Sequence, residues 1–175
     1  MVHEHGGKGS GNFVDREKVI NSFVKKDDIF LDVGCGPGNY LVAVSRLTRN
    51  ITAIDIHEES IANVRRMGFN GIIADATKKI PLDDSSADSI LISNVMHGFV
   101  EDKTEKDVLS EIRRVLRLGG MLGIVEFKEN SLIGPPKNIR LSETVLREIF
   151  GKDFSKVDSM DVGPFNYLLV LKKDR

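Results

Sequence analysis

Ile29-Phe30-Leu31-Asp32-Val33-Gly34-Cys35-Gly36-Pro37-Gly38-Asn39-Tyr40 sets a short apolar run against three glycines at alternate positions, then opens into a helical pattern. The run has the length of a buried strand, and it breaks off at an acidic residue. Glycine reaches positive φ and leaves no Cβ between the backbone and an approaching molecule. The helix start that follows offers unpaired N–H groups. Residues 29–40 therefore read as a ligand-binding turn between a strand and a helix. They do not fit the dinucleotide fingerprint, because glycines at 34 and 36 would require Gly or Ala at 39, where Asn39 stands.

Outward from this turn, strands and helices alternate. Asp15 caps a helix bearing Val19, Ile20 and Phe23, and the helix after the glycines carries Leu41, Val44 and Leu47. Ile51 to Ile54 forms a second strand. His57 to Gly68 is amphipathic through Ile61, Val64 and Met67 and is closed by Gly68. Gly71 to Ala74 and Asp88 to Ser93 are the third and fourth strands. Asp102 or Thr104 caps a helix through Val108, Leu109, Ile112, Val115 and Leu116, which Gly119-Gly120 stops before a fifth strand, Met121 to Phe127. Glu129 to Arg140 contains Gly134-Pro135-Pro136 and reads as irregular. Ser142 caps a last helix, and Lys156 to Val162 and Phe165 to Leu171 close the chain as a hairpin. This order predicts an α/β, Rossmann-like doubly wound sheet of seven strands. The sheet is mostly parallel with a C-terminal antiparallel hairpin, and helices cover both faces.

The 175 residues suit one domain, with the first 14 as a flexible arm or lid. A net charge of −1 argues against a dedicated nucleic-acid binder. No apolar run approaches the roughly 20 residues of a membrane span, and the N-terminus has no signal-peptide pattern. Cys35 is alone and cannot form an internal disulfide, which agrees with a cytoplasmic location; inside the loop it reads as packing. His3-x-His5 lacks a third ligand, and no metal site is expected.

In a doubly wound sheet, ligands bind outside the carboxyl ends of the strands. The first strand ends at Asp32, the second at Asp55 and the third at Asp75-Ala76. An acidic side chain about 20 residues past a glycine loop can bridge two ribose hydroxyls. Each residue has a plainer reading: Asp55 could cap the next helix, Asp75 could close a turn, and Asp32 could bond loop amides.

With an acidic residue two before Gly34-x-Gly36-x-Gly38, the chain resembles the class I S-adenosylmethionine-dependent methyltransferases, and among them the small-molecule, quinone-biosynthesis-like enzymes. The resemblance runs from about Asp28 to Leu171. It implies S-adenosylmethionine as cofactor and S-adenosylhomocysteine as product. By it, Asp32 faces the methionine ammonium directly or through water, Gly34, Gly36 and Gly38 meet the cofactor through the backbone, and Asp55 holds the ribose. Asp75 accepts from the adenine amino group and the Ala76 amide reads a ring nitrogen, while Cys35 and Ile56 complete the cofactor surface and Asn94 serves the amino-acid end.

Methyl transfer from a sulfonium asks the protein for proximity, alignment and, where the acceptor is protic, a base. His97, in the segment from Ser93 to Phe99, is the candidate base, against the alternative of a loop histidine with no catalytic part. Asn94-Val95-Met96 is not the Asn/Asp-Pro-Pro-aromatic motif of amino-group DNA methyltransferases, and no Pro-Cys nucleophile is present. The expected partner is therefore a small organic methyl acceptor, taken at O, N or C, with homo-oligomerisation left open. Selectivity falls to the arm, the Val95–Lys103 loop and the Glu129–Arg140 loop. The competing readings are a non-catalytic cofactor-binding regulatory or scaffold subunit and, further off, an NAD-dependent oxidoreductase.

Overall fold

The computed structural model describes residues 13–175. The elements are α1 (Arg16–Asn21), β1 (Phe30–Val33), α2 (Leu41–Val44), β2 (Ile51–Asp55), α3 (Glu58–Arg66), β3 (Asn70–Ile73), β4 (Ala87–Ser93), α4 (Met96–Glu101), α5 (Glu105–Val115), β5 (Leu116–Phe127), α6 (Glu143–Phe150), β6 (Phe154–Asp161) and β7 (Asn166–Lys173). They build one seven-stranded sheet in the order β3-β2-β1-β4-β5-β7-β6. β3 to β5 run parallel, and β7 lies antiparallel between β5 and β6. The expected hairpin is therefore inserted by its second strand, and β6 forms the sheet edge. Strand order reverses between β1 and β4, which opens a crevice above their carboxyl ends.

Side-chain alternation along the strands feeds two cores. Phe30, Ala53, Leu91, Leu168 and Val170 face α1, α2 and α3, while Leu31, Ile90, Ile92, Leu122 and Ile124 face α4, α5 and α6. Near-continuous burial of β1 and β4 follows from cover on both sides. Two of the expected caps act as read: Asp15 accepts from the Lys18 amide at 2.9 Å and Ser142 from the Val145 amide at 3.3 Å, whereas Thr104 takes the N-cap position of α5 with its hydroxyl turned to the Phe99 carbonyl and no side-chain cap bond. Gly68, at φ +88°, ends α3 with Phe69 N–H bonding back to the Val64 carbonyl.

Four expectations are corrected. The Val95–Lys103 loop contains α4, because burial of Met96 and contacts of Phe99 and Val100 with the core outweigh the poor helix propensity of Gly98. α5 stops at Val115, and Leu116 already pairs with Ala87. Gly119, at φ +76°, turns an excursion inside β5 instead of ending a helix. α2 has a single turn. The Glu129–Arg140 segment holds one 3-10 turn, Lys137–Ile139. Of the expected arm, Val14 is buried and Phe13 packs edge-on against Phe165 with ring centroids 5.3 Å apart. The remainder of the arm, with His3 and His5, lies outside the described residues.

β5 passes close to the turn that follows α1 at Gly123, where an added Cβ would stand 2.4 Å from the Phe23 ring. Gly123→Ala is expected to cost about 1–3 kcal/mol through overpacking, read as a fall in melting temperature of about 2–4 °C per kcal/mol.

Candidate functional site

The glycine turn is pinned before any ligand arrives. The Gly34 and Cys35 amides both donate to the Ile54 carbonyl, at 2.9 and 3.0 Å, tying the end of β1 to β2. Gly34, Gly36 and Gly38 all have positive φ, at +67°, +51° and +87°, but their surroundings differ. A Cβ at Gly34 would stand 3.0 Å from the Val95 side chain, and one at Gly38 would stand 3.0 Å from Leu41 and 3.2 Å from Val64. At Gly36 it would meet nothing within 4 Å. A side chain would therefore crowd Gly34 and Gly38, while Gly36 presents bare backbone to open space. Cys35 is buried, its thiol donating to the Gly36 carbonyl at 3.4 Å, and burial pushes its pKa well up. Its side chain packs in the core that backs α1, α2 and α3.

Asp55, at the end of β2, does more than its strand-end position implied. Its Oδ2 accepts from the Gly36 amide at 2.8 Å, while Oδ1 accepts from the His57 amide at 2.9 Å and lies 2.8 Å from His57 Nδ1. The carboxylate therefore sets both the glycine turn and the entry to α3. Asp32 is 1% exposed and its Oδ2 has no hydrogen-bond partner among the described residues. Burial first, and the Asp55 charge second, push its pKa up to about 7. Such an oxygen is a vacant acceptor in a region short of positive charge.

Asp75 stands two residues beyond β3 and is turned into its own loop. Desolvation pulling its pKa up is outweighed by bonds from the Thr77 hydroxyl and amide, at 2.6 and 2.9 Å, and by Lys78, and the carboxyl sits below its ordinary value. Ala76 is buried beside it. Ile56 and Ile73 stand exposed past Asp55 and at the end of β3.

Across the crevice, Ser93 at the end of β4 bonds the buried Tyr40 hydroxyl at 2.9 Å. Asn94 adopts φ +56°, its amide bonding the Val125 carbonyl and its Oδ1 accepting from Asn166 Nδ2 at 2.9 Å. His97 lies in α4 and is buried. Its Nδ1 is 2.9 and 3.1 Å from the two oxygens of Glu126, which also accepts from the His97 amide at 3.1 Å. Glu126, near the end of β5, is fully buried. The Glu129–Arg140 segment is knotted by Arg140, whose guanidinium donates to the carbonyls of Glu129, Ser131, Ile133 and Pro135. Beside β5 a groove of about 620 Å³ opens between Lys128, Ser142, Met160 and Tyr167.

Asp32, Gly36 and Asp55 are thus brought together at the β1 and β2 ends, and Asn94 and His97 at the β4 end. Glu126 and Asn166 were missed by sequence reasoning. The signal for Glu126 was available, since it is the single charge in the otherwise apolar run from Met121 to Phe127. Asn166 carried no such signal.

A central-crevice glycine turn in a 3-2-1-4-5-7-6 sheet with one antiparallel strand defines the class I methyltransferase fold. Residues 31–124 match the methyltransferase domain family, and the chain belongs to that family, whose cofactor is S-adenosylmethionine. It is 29% identical over 120 residues to the ubiquinone/menaquinone biosynthesis C-methyltransferase UbiE of Campylobacter jejuni, covering 63% of this chain and 49% of the relative. The chain spans about half the length of the curated relatives it matches. A SAM-dependent methyltransferase from Aquifex aeolicus superposes with a TM-score of 0.80 at 27% identity over 92% of this chain and 90% of that one. The cyclase SpnF also superposes, with a TM-score of 0.71 at 20% identity over 98% of this chain and 88% of its own, which shows the fold alone. The residues present fit the cofactor: Gly36 gives backbone access, and Asp32 holds a buried oxygen in want of a donor.

Proposed function

We propose that this chain transfers the methyl group of S-adenosylmethionine to a small organic acceptor. The buried, unpartnered Asp32 oxygen beside the open backbone of Gly36 carries this reading. An ammonium is the ligand group that would satisfy such an oxygen at least cost, since pairing returns the interaction lost on burial. In this reading Asp55 holds the ribose with the lone pairs left over from Gly36 and His57. Ile56 flanks the adenine, and Asp75 and Ala76 read its edge.

When bound, the cofactor supplies a sulfonium-activated methyl group. His97, its Nδ1 held against Glu126, takes the proton from an acceptor O–H or N–H as the new bond to carbon forms. The positive charge that leaves sulfur then resides on an imidazolium whose counter-charge is already in place. In this reading the Arg140-knotted loop, whose Lys137–Ile139 turn packs against α4, is a segment that meets the acceptor.

Titration calorimetry with S-adenosylmethionine and S-adenosylhomocysteine tests the proposal. Micromolar binding of both is expected, and no heat at high micromolar ligand would refute it. Incubation with methyl-labelled cofactor in cell extract should then place label on a low-mass product; label confined to protein or nucleic acid would refute the acceptor class.

A further inference from the structure

Asn166 opens β7, a strand to which neither the glycine turn nor the acidic strand ends draw attention. It is 1% exposed, yet its side-chain Oδ1 has no hydrogen-bond partner among the described residues. Its Nδ2 donates to Asn94 Oδ1 at 2.9 Å, so the carboxamide bridges from the start of β7 to the residue that follows β4. Asn94 sits there at φ +56°, immediately before Val95, whose side chain touches the space above Gly34. Asparagine tolerates this left-handed backbone better than most residues, and the Asn166 bond holds it there.

Alternation puts Asn166 on the sheet face it shares with Leu168 and Val170, the face that also carries Phe30 and Asp32 on β1 and Leu91 and Ser93 on β4. Of the buried side-chain oxygens without a partner, Asp32 Oδ2 and Asn166 Oδ1 both belong to this face, toward the carboxyl ends of the parallel strands. A buried acceptor left unpaired is costly, and at the carboxyl ends of the strands a ligand donor, direct or through an ordered water, would satisfy it.

We propose that Asn166 is a binding residue for the amino-acid end of the methyl donor. Its Oδ1 accepts from the ammonium side, directly or through an ordered water, while its Nδ2 fixes Asn94 against the same end of the ligand. The assignment rests on the methyl-donor reading above and adds to it a strand and a side chain.

The test compares two ligands, S-adenosylhomocysteine and 5′-methylthioadenosine, which keeps the adenosine and the thioether but lacks the amino-acid end. By calorimetry, Asn166→Ala should weaken S-adenosylhomocysteine about tenfold or more, the effect of losing one hydrogen bond from a charged donor, and leave methylthioadenosine within about twofold. Asn94→Ala, at a half-buried position outside any strand, should give the same split and serves if Asn166→Ala does not fold. Equal losses for both ligands would make Asn166 a purely structural residue, and unchanged affinity for S-adenosylhomocysteine would remove it from the site. Either result overturns the assignment. A wild-type protein that binds neither ligand would instead bring down the methyl-donor reading on which it rests.

Discussion

Asp32→Asn is expected to stabilise the cofactor-free protein at pH 8 while weakening its hold on S-adenosylmethionine. The Asp32 carboxyl titrates near 3.8 when unperturbed and at about 7 in the folded chain, through burial first and Asp55 second. Between these values the folded protein keeps a proton that the unfolded chain has released, so stability falls as pH rises through the window. Above pH 7 the full penalty is present, ~4 kcal/mol for a shift of this size. Asparagine removes the charge and with it most of that penalty. The melting temperature should rise by about 2–4 °C for each kcal/mol recovered, a gain that is largest at pH 8 and narrows toward pH 5. Calorimetry should show the opposite for the ligand, a loss of about 10- to 100-fold, because an ammonium then meets a neutral amide. Wild-type affinity should likewise fall as pH drops below about 7 and protons compete for the carboxylate. A variant that melts no higher at pH 8 would show that Asp32 is not held ionised at a cost.

Asp55→Ala is expected to be the more damaging change, since one carboxylate serves three structural contacts as well as the proposed ribose contact. The substitution strips the Gly36 amide, the His57 amide and the His57 ring of their partner. The loss should cost about 1–3 kcal/mol of stability for the partners left unsatisfied and at least about 100-fold in S-adenosylhomocysteine affinity. Asp55→Asn keeps an oxygen for Gly36 and should fall between wild type and alanine. Removing the Asp55 charge also relieves Asp32, which should then ionise at a lower pH and return part of the lost stability. Full affinity in Asp55→Ala would exclude both the loop-setting and the ribose role.

The strand-turn-helix unit, the alternation that follows it and the acidic strand ends were legible because each depends on short-range chemistry. Asp15 and Ser142 cap helices wherever the chain goes, and Gly68 ends one for reasons contained within a few residues. α4 was not legible. Its six residues include Gly98 and have weak propensity, and only the burial of Met96 and His97 against the sheet makes them helical. The end of α5 was misplaced for a related reason: pairing of Leu116 with Ala87 across the sheet takes the residue before Gly119-Gly120 can act as a stop.

The same division runs through the site. Local sequence determined that a glycine turn follows a buried strand and that acids stand at three strand ends, since these are matters of φ, spacing and side-chain type. Only the tertiary structure decided that Gly36, of the three glycines, faces open space, and that Asp55 is bonded to the turn it was expected to flank. It also decided that His97 is buried against Glu126 and that Asn94 is held by Asn166 from β7. These pairings join residues 19, 29 and 72 positions apart in the chain. No local preference encodes contacts at such separations; they exist because strand order places β1, β2, β4, β5 and β7 side by side, with burial making each polar pairing obligatory.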